Sequence, residues 1–428
     1  MPNEMGMEAS SSMLKPAISS LVPQAGNPFF IVSPPYTRLS AGVTVLHLLC
    51  HYLNSTGESA YMVQWPPTHT PVRSLPYYVT LQSQLDFPGG MLSPMITQEA
   101  IDFYHEREFT PIVIYPEVYD NPLKVDFFGR YILNYPGKLH TAYAERENFA
   151  VAYSRILADH CAEAYPTHPP IQDVLFVPTT DLNFWNKSGA AEVRHGSCFY
   201  AGKLRFIHGK AVDNVPPGSV EILYSNLMTR KEVRELFWRS EIFYCHEDSA
   251  LALEALLCGC PVAFIPNELF SGRPLAAHEV GNDGWCIGTD PDAIAKARAT
   301  IDHVEDRIQY AMASVQSRIQ ELSRKWKEEA KARKYAGSIL CPYETRLVYF
   351  EQKLSSLPHL GVDDTDEPED TPASMRSGLM EKATLPARLM LQTFRDKGAS
   401  GVVPRVYAGI RRHGLFGFLR LLFGISHR

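Results

Sequence analysis

The 428-residue sequence contains no apolar run near the ~20 residues that a membrane-spanning helix needs. Its start lacks the basic, apolar, small-residue order of a secretory signal peptide, and its eight cysteines are scattered along the chain. We therefore expect a chain that does not cross a membrane, lies in the reducing cytoplasm and keeps its thiols free. No Asp-x-Asp pair occurs in a clear site context, and no second ligand pair accompanies Cys258-x-Cys260, so no metal site is predicted.

An excess of basic charge is also missing, since the formal net charge is -6. This argues against a nucleic-acid partner. The balance is uneven, however, because residues 375–428 contain ten Lys and Arg against two Asp and Glu. The hydrophobic fraction of 45% is that of a globular protein, and the length indicates two domains with additional segments.

The most informative stretch runs over residues 239–267. An apolar strand at 242–245 precedes a polar turn at 246–249, a helix at 250–257 and a second apolar strand at 261–265. Gly259 ends the helix, so the pattern is typical of a βαβ unit. The free N–H groups at such a helix start favour an anion, most often a phosphate. Glu254, about one and a half turns into the helix, can instead bind two hydroxyls of a sugar such as ribose.

This stretch resembles the nucleotide-sugar glycosyltransferases of the GT-B fold, in the large group typified by retaining enzymes of polysaccharide synthesis. In that group an acidic residue, seven others and a Glu precede an Ala and a Gly-x-Pro-Val strand. Glu254-Ala255 and the run from Cys258 to Val262 match, while His246 stands at the first acidic position with Glu247 one place later. The resemblance implies that His246 or Glu247 faces the transferred sugar as the catalytic group.

A diphosphate site is predicted where two strands of the second domain end. Gly202 and Lys203 follow the strand at 197–201, and the backbone at Asp248, Ser249 and Ala250 follows the strand at 242–245. The resemblance places a Gly-Lys or Gly-Arg pair at the first of these positions, and a fixed lysine suits a diphosphate leaving group. The alternative for Lys203 is a solvated lysine.

The acceptor is expected on the first domain. Ser40 and Gly42 lie at the start of a buried helix, and Glu117, Asn121 and Arg130 lie in what reads as a polar, proline-rich loop after a strand at 111–115. With Arg38 they form the candidate cleft set. The alternatives are an ordinary strand-to-helix loop at 40–42 and a structural ion pair at Arg130. The run from Tyr115 to Gly137 also resembles some bacterial surface-polysaccharide glycosyltransferases.

The resulting fold class is α/β, with two Rossmann-like domains facing a cleft (GT-B), an acidic linker and a basic amphipathic tail. Apolar residues at helical spacing predict a long helix from about 301 to 335 that packs through its stripe. The predicted segments are a disordered N-terminus at 1–26, an N-terminal acceptor domain at 27–190, a C-terminal nucleotide-sugar-binding domain at 191–340, a helix returning to the first domain at 341–360, the linker at 361–374 and the tail at 375–428.

The tail has the composition of an interfacial helix on an anionic membrane. A membrane surface or a membrane-bound partner is expected there, with the protein peripheral at the inner face of the cytoplasmic membrane. The predicted function is transfer of a hexosyl or deoxyhexosyl group, with retention, from a nucleotide diphosphate sugar to a glycan or lipid-linked acceptor of capsule or lipopolysaccharide O-antigen synthesis, without a cofactor or metal. A non-catalytic scaffold, a nucleotide-sugar epimerase and a phosphorylase of the same fold are the alternatives.

Overall fold

The structure is a computed structural model, and it describes residues 23–34, 36–37, 40–65, 91–136, 146–223 and 228–333. All of them belong to one compact unit, Met1–Ser355. The predicted disordered N-terminus lies outside the described residues except for 23–26. Arg38, the helix at 341–360, the acidic linker and the basic tail also lie outside them.

The first sheet has six parallel strands in the order β2-β1-β3-β4-β5-β6. The strands of this sheet are β1 (Phe29–Ser33), β2 (Ala60–Gln64), β3 (Ile112–Pro116), β4 (Phe128–Ile132), β5 (Phe149–Ala152) and β6 (Asp173–Val174), and its helices are α1 (Ala41–Ser55), α2 (Gln98–Glu106) and α3 (Arg155–Ala164). Every residue of β1, β3 and β4 is buried, as expected for parallel strands covered on both faces.

Two strands of this sheet lie where the sequence predicted none. The run FGRYI, expected within a polar loop, forms β4, and β5 follows it with α3 behind. The strand β4 was not recognised in the sequence because Arg130 lies at its centre. A charged side chain is rare in a buried parallel strand unless it is paired. The expectation of one long loop after β3 is therefore wrong.

The second sheet has five parallel strands in the order β11-β10-β9-β7-β8. The strands of this sheet are β7 (Ser197–Tyr200), β8 (Val220–Glu221), β9 (Ile242–Cys245), β10 (Val262–Phe264) and β11 (Trp285–Ile287), and its helices are α4 (Gly202–Phe206), α5 (Arg230–Arg239), α6 (Ala250–Leu257), α7 (Ala277–Val280) and α8 (Pro291–Thr300). The predicted βαβ unit at 239–267 is confirmed as β9, α6 and β10.

A long helix, α9 (Val304–Lys331), joins the two sheets after a short 3-10 turn at Ile301–His303. Val304 and Ile308 belong to the core of the second sheet, whereas Ile319 and Trp326 belong to that of the first. The predicted packing stripe is thus confirmed, and α9 already makes the return to the first sheet that the sequence placed at 341–360. In the part of the chain that is described, no helix has the length and apolar character to cross a bilayer.

The strand order reverses once in each sheet. In the first sheet the chain leaves β1 for β2 on one side and then for β3 on the other; in the second it leaves β7 for β8 and then for β9. Open parallel sheets bind ligands outside the carboxyl ends of the strands at such switch points. A ligand site is therefore expected among the residues that follow β1, β3, β7 and β9.

Candidate active site

A cavity of about 860 Å³ opens at the carboxyl ends of both sheets. Ten of the predicted site residues line it: Ser40, Gly42, Glu117, Lys203, His246, Glu247, Asp248, Ser249, Ala250 and Glu254. All four switch-point strands thus contribute to its walls. The volume is within the range of small-molecule sites.

The start of α6 forms one wall of this cleft. Ser249 is the N-cap, and its hydroxyl accepts a hydrogen bond from the Leu251 amide at 3.3 Å. The helix ends in a Schellman motif, in which the amides of Gly259 and Cys260 donate to carbonyls of the last turn. Gly259 has a φ of +74°, which explains why glycine stands there. Both ends of α6 are therefore specified by its own sequence.

Glu247 joins the ends of β9 and β7. Its Oε2 accepts a hydrogen bond from the Lys203 amide at 2.9 Å. The carboxyl group lies where a side chain at position 202 would begin, because a Cβ on Gly202 would stand 2.5 Å from the Glu247 Cδ. The structure thus brings together the predicted residues Gly202, Lys203 and Glu247. The Glu247 carboxylate, however, contacts the backbone of the turn between β7 and α4.

His246 is buried and neutral. Burial lowers its pKa, and its Nε2 lies 3.2 Å from the Asp213 carbonyl, which can only accept a hydrogen bond. Nε2 therefore carries the proton, and Nδ1 is left as a buried acceptor without a hydrogen-bond partner. A neutral imidazole at this position cannot supply the negative charge that the resembled family has there.

Asp248 is the acidic residue of the turn that faces the first sheet. Its Oδ2 accepts a hydrogen bond from the Leu275 amide at 3.0 Å. Burial raises the pKa of Tyr135 and of Tyr153, and the charge of Asp248 raises both further. These two tyrosines line the cleft but were missed by the sequence reading, because they follow β4 and β5, the two strands it did not recognise.

Glu117 follows β3 directly and is the acidic residue of the opposite wall. The residue is only 6% exposed, and its Oε2 accepts a hydrogen bond from the Leu133 amide at 2.9 Å. Burial raises its pKa from 4.5 to about 7, against smaller opposite effects of backbone N–H groups and Arg130. The carboxyl group is therefore held in one orientation and titrates near neutral pH.

Arg130 and Asn121 do not line the cleft, which corrects the sequence prediction. The Arg130 guanidinium is fully buried, pairs with Asp120 and Glu147 at 3.1 Å each, and donates to the Tyr119 carbonyl. Asn121 bonds both the amide and the carbonyl of Val125. The alternative of a structural ion pair at Arg130 is thus confirmed, since the paired charges let a cation lie inside the sheet.

A hydrogen bond joins α7, beside the second sheet, to α3, beside the first. Glu279, on α7, accepts a hydrogen bond through its Oε1 from the Arg155 amide at the start of α3, at 2.8 Å. A carboxylate at a helix N-terminus is favoured by the helix dipole. No group of three or more His, Cys, Asp or Glu side chains that could hold a metal occurs among the described residues.

No protein-family model and no curated protein matches the sequence. Among solved structures, the chain is similar to a glycosyltransferase from Rickettsia africae, at 12% identity and a TM-score of 0.38 over 78% of this chain and 100% of that one. It is also similar to the spinosyn rhamnosyltransferase SpnG complexed with thymidine diphosphate (12% identity, TM-score 0.32, 76% and 100% covered). A third similar structure is that of the wall teichoic acid polymerase TagF, at 11% identity and a TM-score of 0.34 over 74% of this chain and 91% of that one.

Two of these three structures are glycosyltransferases by name. At these TM-scores the assignment of the fold rests on this chain's own topology. Two parallel sheets interleaved with helices, facing a cleft at their switch points, form the predicted α/β fold class.

Proposed function

We propose that the protein is a glycosyltransferase that moves a sugar from a nucleotide diphosphate sugar to a glycan or lipid-linked acceptor. The observation that carries this proposal is the shared cleft. On one side, Lys203 and the start of α6 follow β7 and β9, which are neighbouring strands of the second sheet. On the other side lie residues that follow β3, β4 and β5 of the first sheet. A donor on the second sheet and an acceptor on the first would meet there.

In this proposal the donor diphosphate lies against Lys203 and the backbone at Asp248, Ser249 and Ala250. The bond to the sugar breaks toward the diphosphate, so negative charge develops on the leaving group. A lysine and fixed amides stabilise that charge without reorganisation, which is the largest usual contribution to such catalysis. The proposal includes no metal ion, because these groups fill its role. Glu254, which lines the same cleft, would hold the ribose.

The acceptor is proposed to enter beside Ser40, Gly42 and Glu117. Tyr135 and Tyr153 add two aromatic side chains to that wall, against which a sugar ring can stack. A role in surface-polysaccharide synthesis, and association of residues 375–428 with an anionic membrane or a membrane-bound partner, are supported by the sequence resemblance and by the basic tail.

A scaffold without catalysis is the second candidate. It is favoured by neutral His246 at the acidic position of the resembled pattern, and by the Glu247 carboxylate, which bonds the Lys203 amide. A scaffold could retain the fold and the tail without binding a donor.

A thermal-shift series separates the two candidates. Purified protein is heated with UDP, GDP, dTDP, CDP or ADP, and the series is repeated with Lys203→Ala and Glu254→Ala. A nucleotide present at ~100 times its Kd adds about 2.7 kcal/mol to the stability of the native state. We expect one nucleotide to raise the Tm of the wild type and of the control Lys210→Ala, whose lysine pairs with Glu268 at 2.9 Å outside the cleft wall.

The same nucleotide is expected to have little effect on the two cleft variants. A wild type whose Tm no nucleotide changes would contradict the donor site and favour the scaffold. Equal shifts in all four proteins would mean that the nucleotide binds elsewhere.

A further inference from the structure

Glu117 occupies the acceptor wall in a fixed pose. It follows β3, which forms the switch point of the first sheet with β1. The Leu133 amide donates a hydrogen bond to the Glu117 Oε2. Leu133 also packs near the start of α1, because a Cβ on Gly42 would lie 3.6 Å from the Leu133 Cδ1. The carboxyl group is thus fixed by two neighbouring elements while its side chain lines the cleft.

The segment that holds Glu117 also reaches toward the donor wall. Tyr135, two residues after Leu133, lies near enough to Asp248 for that charge to raise the tyrosine pKa, after the larger effect of burial. Asp248 directly precedes Ser249, the N-cap of α6. Glu117 and the proposed diphosphate site therefore line one cleft of about 860 Å³, Glu117 from the first sheet and the diphosphate site from the second.

Resting on the proposed function, we propose that Glu117 is the general base of the transfer and that the transfer inverts the anomeric carbon. The Glu117 carboxylate takes the proton of the acceptor hydroxyl, and the acceptor oxygen forms a bond to that carbon. The bond from the carbon to the phosphate oxygen breaks, and its electron pair leaves with the nucleoside diphosphate beside Lys203. Because base and leaving group lie on opposite walls, the attack comes from the face opposite the leaving group. This replaces the retention expected from the sequence resemblance.

The protonation behaviour of Glu117 suits this role. A general base works best when its pKa lies near the operating pH, and burial raises the Glu117 pKa to about 7. Arg130 on β4 is the charged neighbour that acts on this carboxyl, and it lowers the pKa less than burial raises it. The titratable and charged groups that line the same cleft toward the donor side are Tyr135, Tyr153, Lys203, Glu247, Asp248, Glu254 and Arg273.

The acidic turn of the second sheet is less suited to the task. The Glu247 carboxylate bonds the Lys203 amide on its own sheet, and the His246 Nε2 bonds the Asp213 carbonyl while its Nδ1 is buried. Asp248 faces the first sheet but directly precedes the N-cap of α6, on the leaving-group side. It is the rival base, and the experiment includes it.

The experiment measures hydrolysis of nucleotide sugars, with water as the acceptor. The full chain is incubated with UDP-glucose, UDP-N-acetylglucosamine, GDP-mannose and dTDP-rhamnose, and the first-formed anomer of the free sugar is read by proton NMR before mutarotation. Glu117→Gln keeps an oxygen for the Leu133 amide but cannot take a proton. Asp248→Asn tests the rival, and Glu106→Gln is the control, because Glu106 is 70% exposed on α2.

We expect inversion by the wild type, a fall in the rate of about 10²- to 10⁴-fold in Glu117→Gln, and an unchanged Kd for the nucleoside diphosphate. The wild-type kcat/KM should rise with pH through about 7, the pKa of Glu117, and this limb should vanish in the variant. A purely structural role would change the Tm without removing that limb.

Retention, or a Glu117→Gln rate equal to that of the control, would overturn the inference while leaving the proposed function intact. So would binding of UDP, GDP or dTDP by a wild type that does not hydrolyse the donors of that nucleotide, because a base that lines the cleft has water as an available acceptor. A wild type that neither hydrolyses a donor nor binds any nucleotide would contradict the proposed function itself.

Discussion

Replacement of Gly202 by alanine tests the contact that joins β7 to β9. Gly202 has a φ of +52°, and alanine in that left-handed region costs about 1–2 kcal/mol. The new Cβ would also stand 2.5 Å from the Glu247 Cδ, so the carboxyl group must leave the Lys203 amide. That hydrogen bond is exposed, so we assign its loss only about 1 kcal/mol. The expected total is a destabilisation of about 2–3 kcal/mol.

A double-mutant cycle with Glu247→Ala separates the two contributions. In the Glu247→Ala background no carboxyl group opposes the new Cβ, so Gly202→Ala should cost only the backbone part, about 1–2 kcal/mol. Urea denaturation of the four proteins gives the midpoints, and an unchanged slope shows that the comparison is sound. If Gly202→Ala costs the same in both backgrounds within about 0.5 kcal/mol, the described contact does not exist and the reasoning fails.

Two further outcomes follow from a partly buried arginine and a buried histidine. Arg194→Ala should lower the free energy of unfolding, measured in urea, by about 2–4 kcal/mol. The Arg194 side chain donates hydrogen bonds to three carbonyls at the ends of α5 and α6, those of Phe237, Ser240 and Cys258. The control Arg298→Ala should change it little, because Arg298 is exposed. Burial lowers the pKa of His47 to about 3, so its neutral form favours folding above pH 6.5 and this stabilisation is lost as the pH falls from 6.5 toward 3. His47→Leu should therefore flatten the dependence of unfolding free energy on pH between 6.5 and 5 by about 1 kcal/mol per unit, and an unchanged slope would show that His47 is protonated in the fold.

Much of the second sheet could be predicted from local sequence signals. The apolar runs at 242–245 and 262–264 are buried strands, Ser249 is an N-cap, and Thr229 with Glu232 forms a capping box, which the spacing Thr-x-x-Glu indicates. These features depend on residues within a few positions of one another. The sequence reading failed in the first sheet at β4 and β5, where the pairing of Arg130 with Asp120 and Glu147 decides that a charge can be buried.

The cleft residues also separate into features that the sequence predicted and features that depend on tertiary contacts. Lys203, Asp248 and Ser249 were predicted to come together because parallel strands end at the same edge of a sheet, and the structure confirms that they line one cavity. The orientation of their neighbours was beyond the sequence. Glu247 bonds the Lys203 amide because Gly202 leaves room for its carboxyl group, and that room exists only once β7 and β9 are paired.

The sequence by itself determined α6, α9 and most strands, because propensity, apolar periodicity and capping act over a few residues, whereas β4, β5 and α3 were not predicted. Only the tertiary structure decided which charges are buried and what the cleft residues face. Glu117 titrates near pH 7 because the packed residues around it remove most of the water from its carboxyl group, and Asp248 raises the pKa of Tyr135 and of Tyr153 because the fold brings the two sheets together at the cleft. Desolvation and electrostatic fields depend on every atom packed nearby, and some of those neighbours, such as Asp248 beside Tyr135, come from distant positions in the chain.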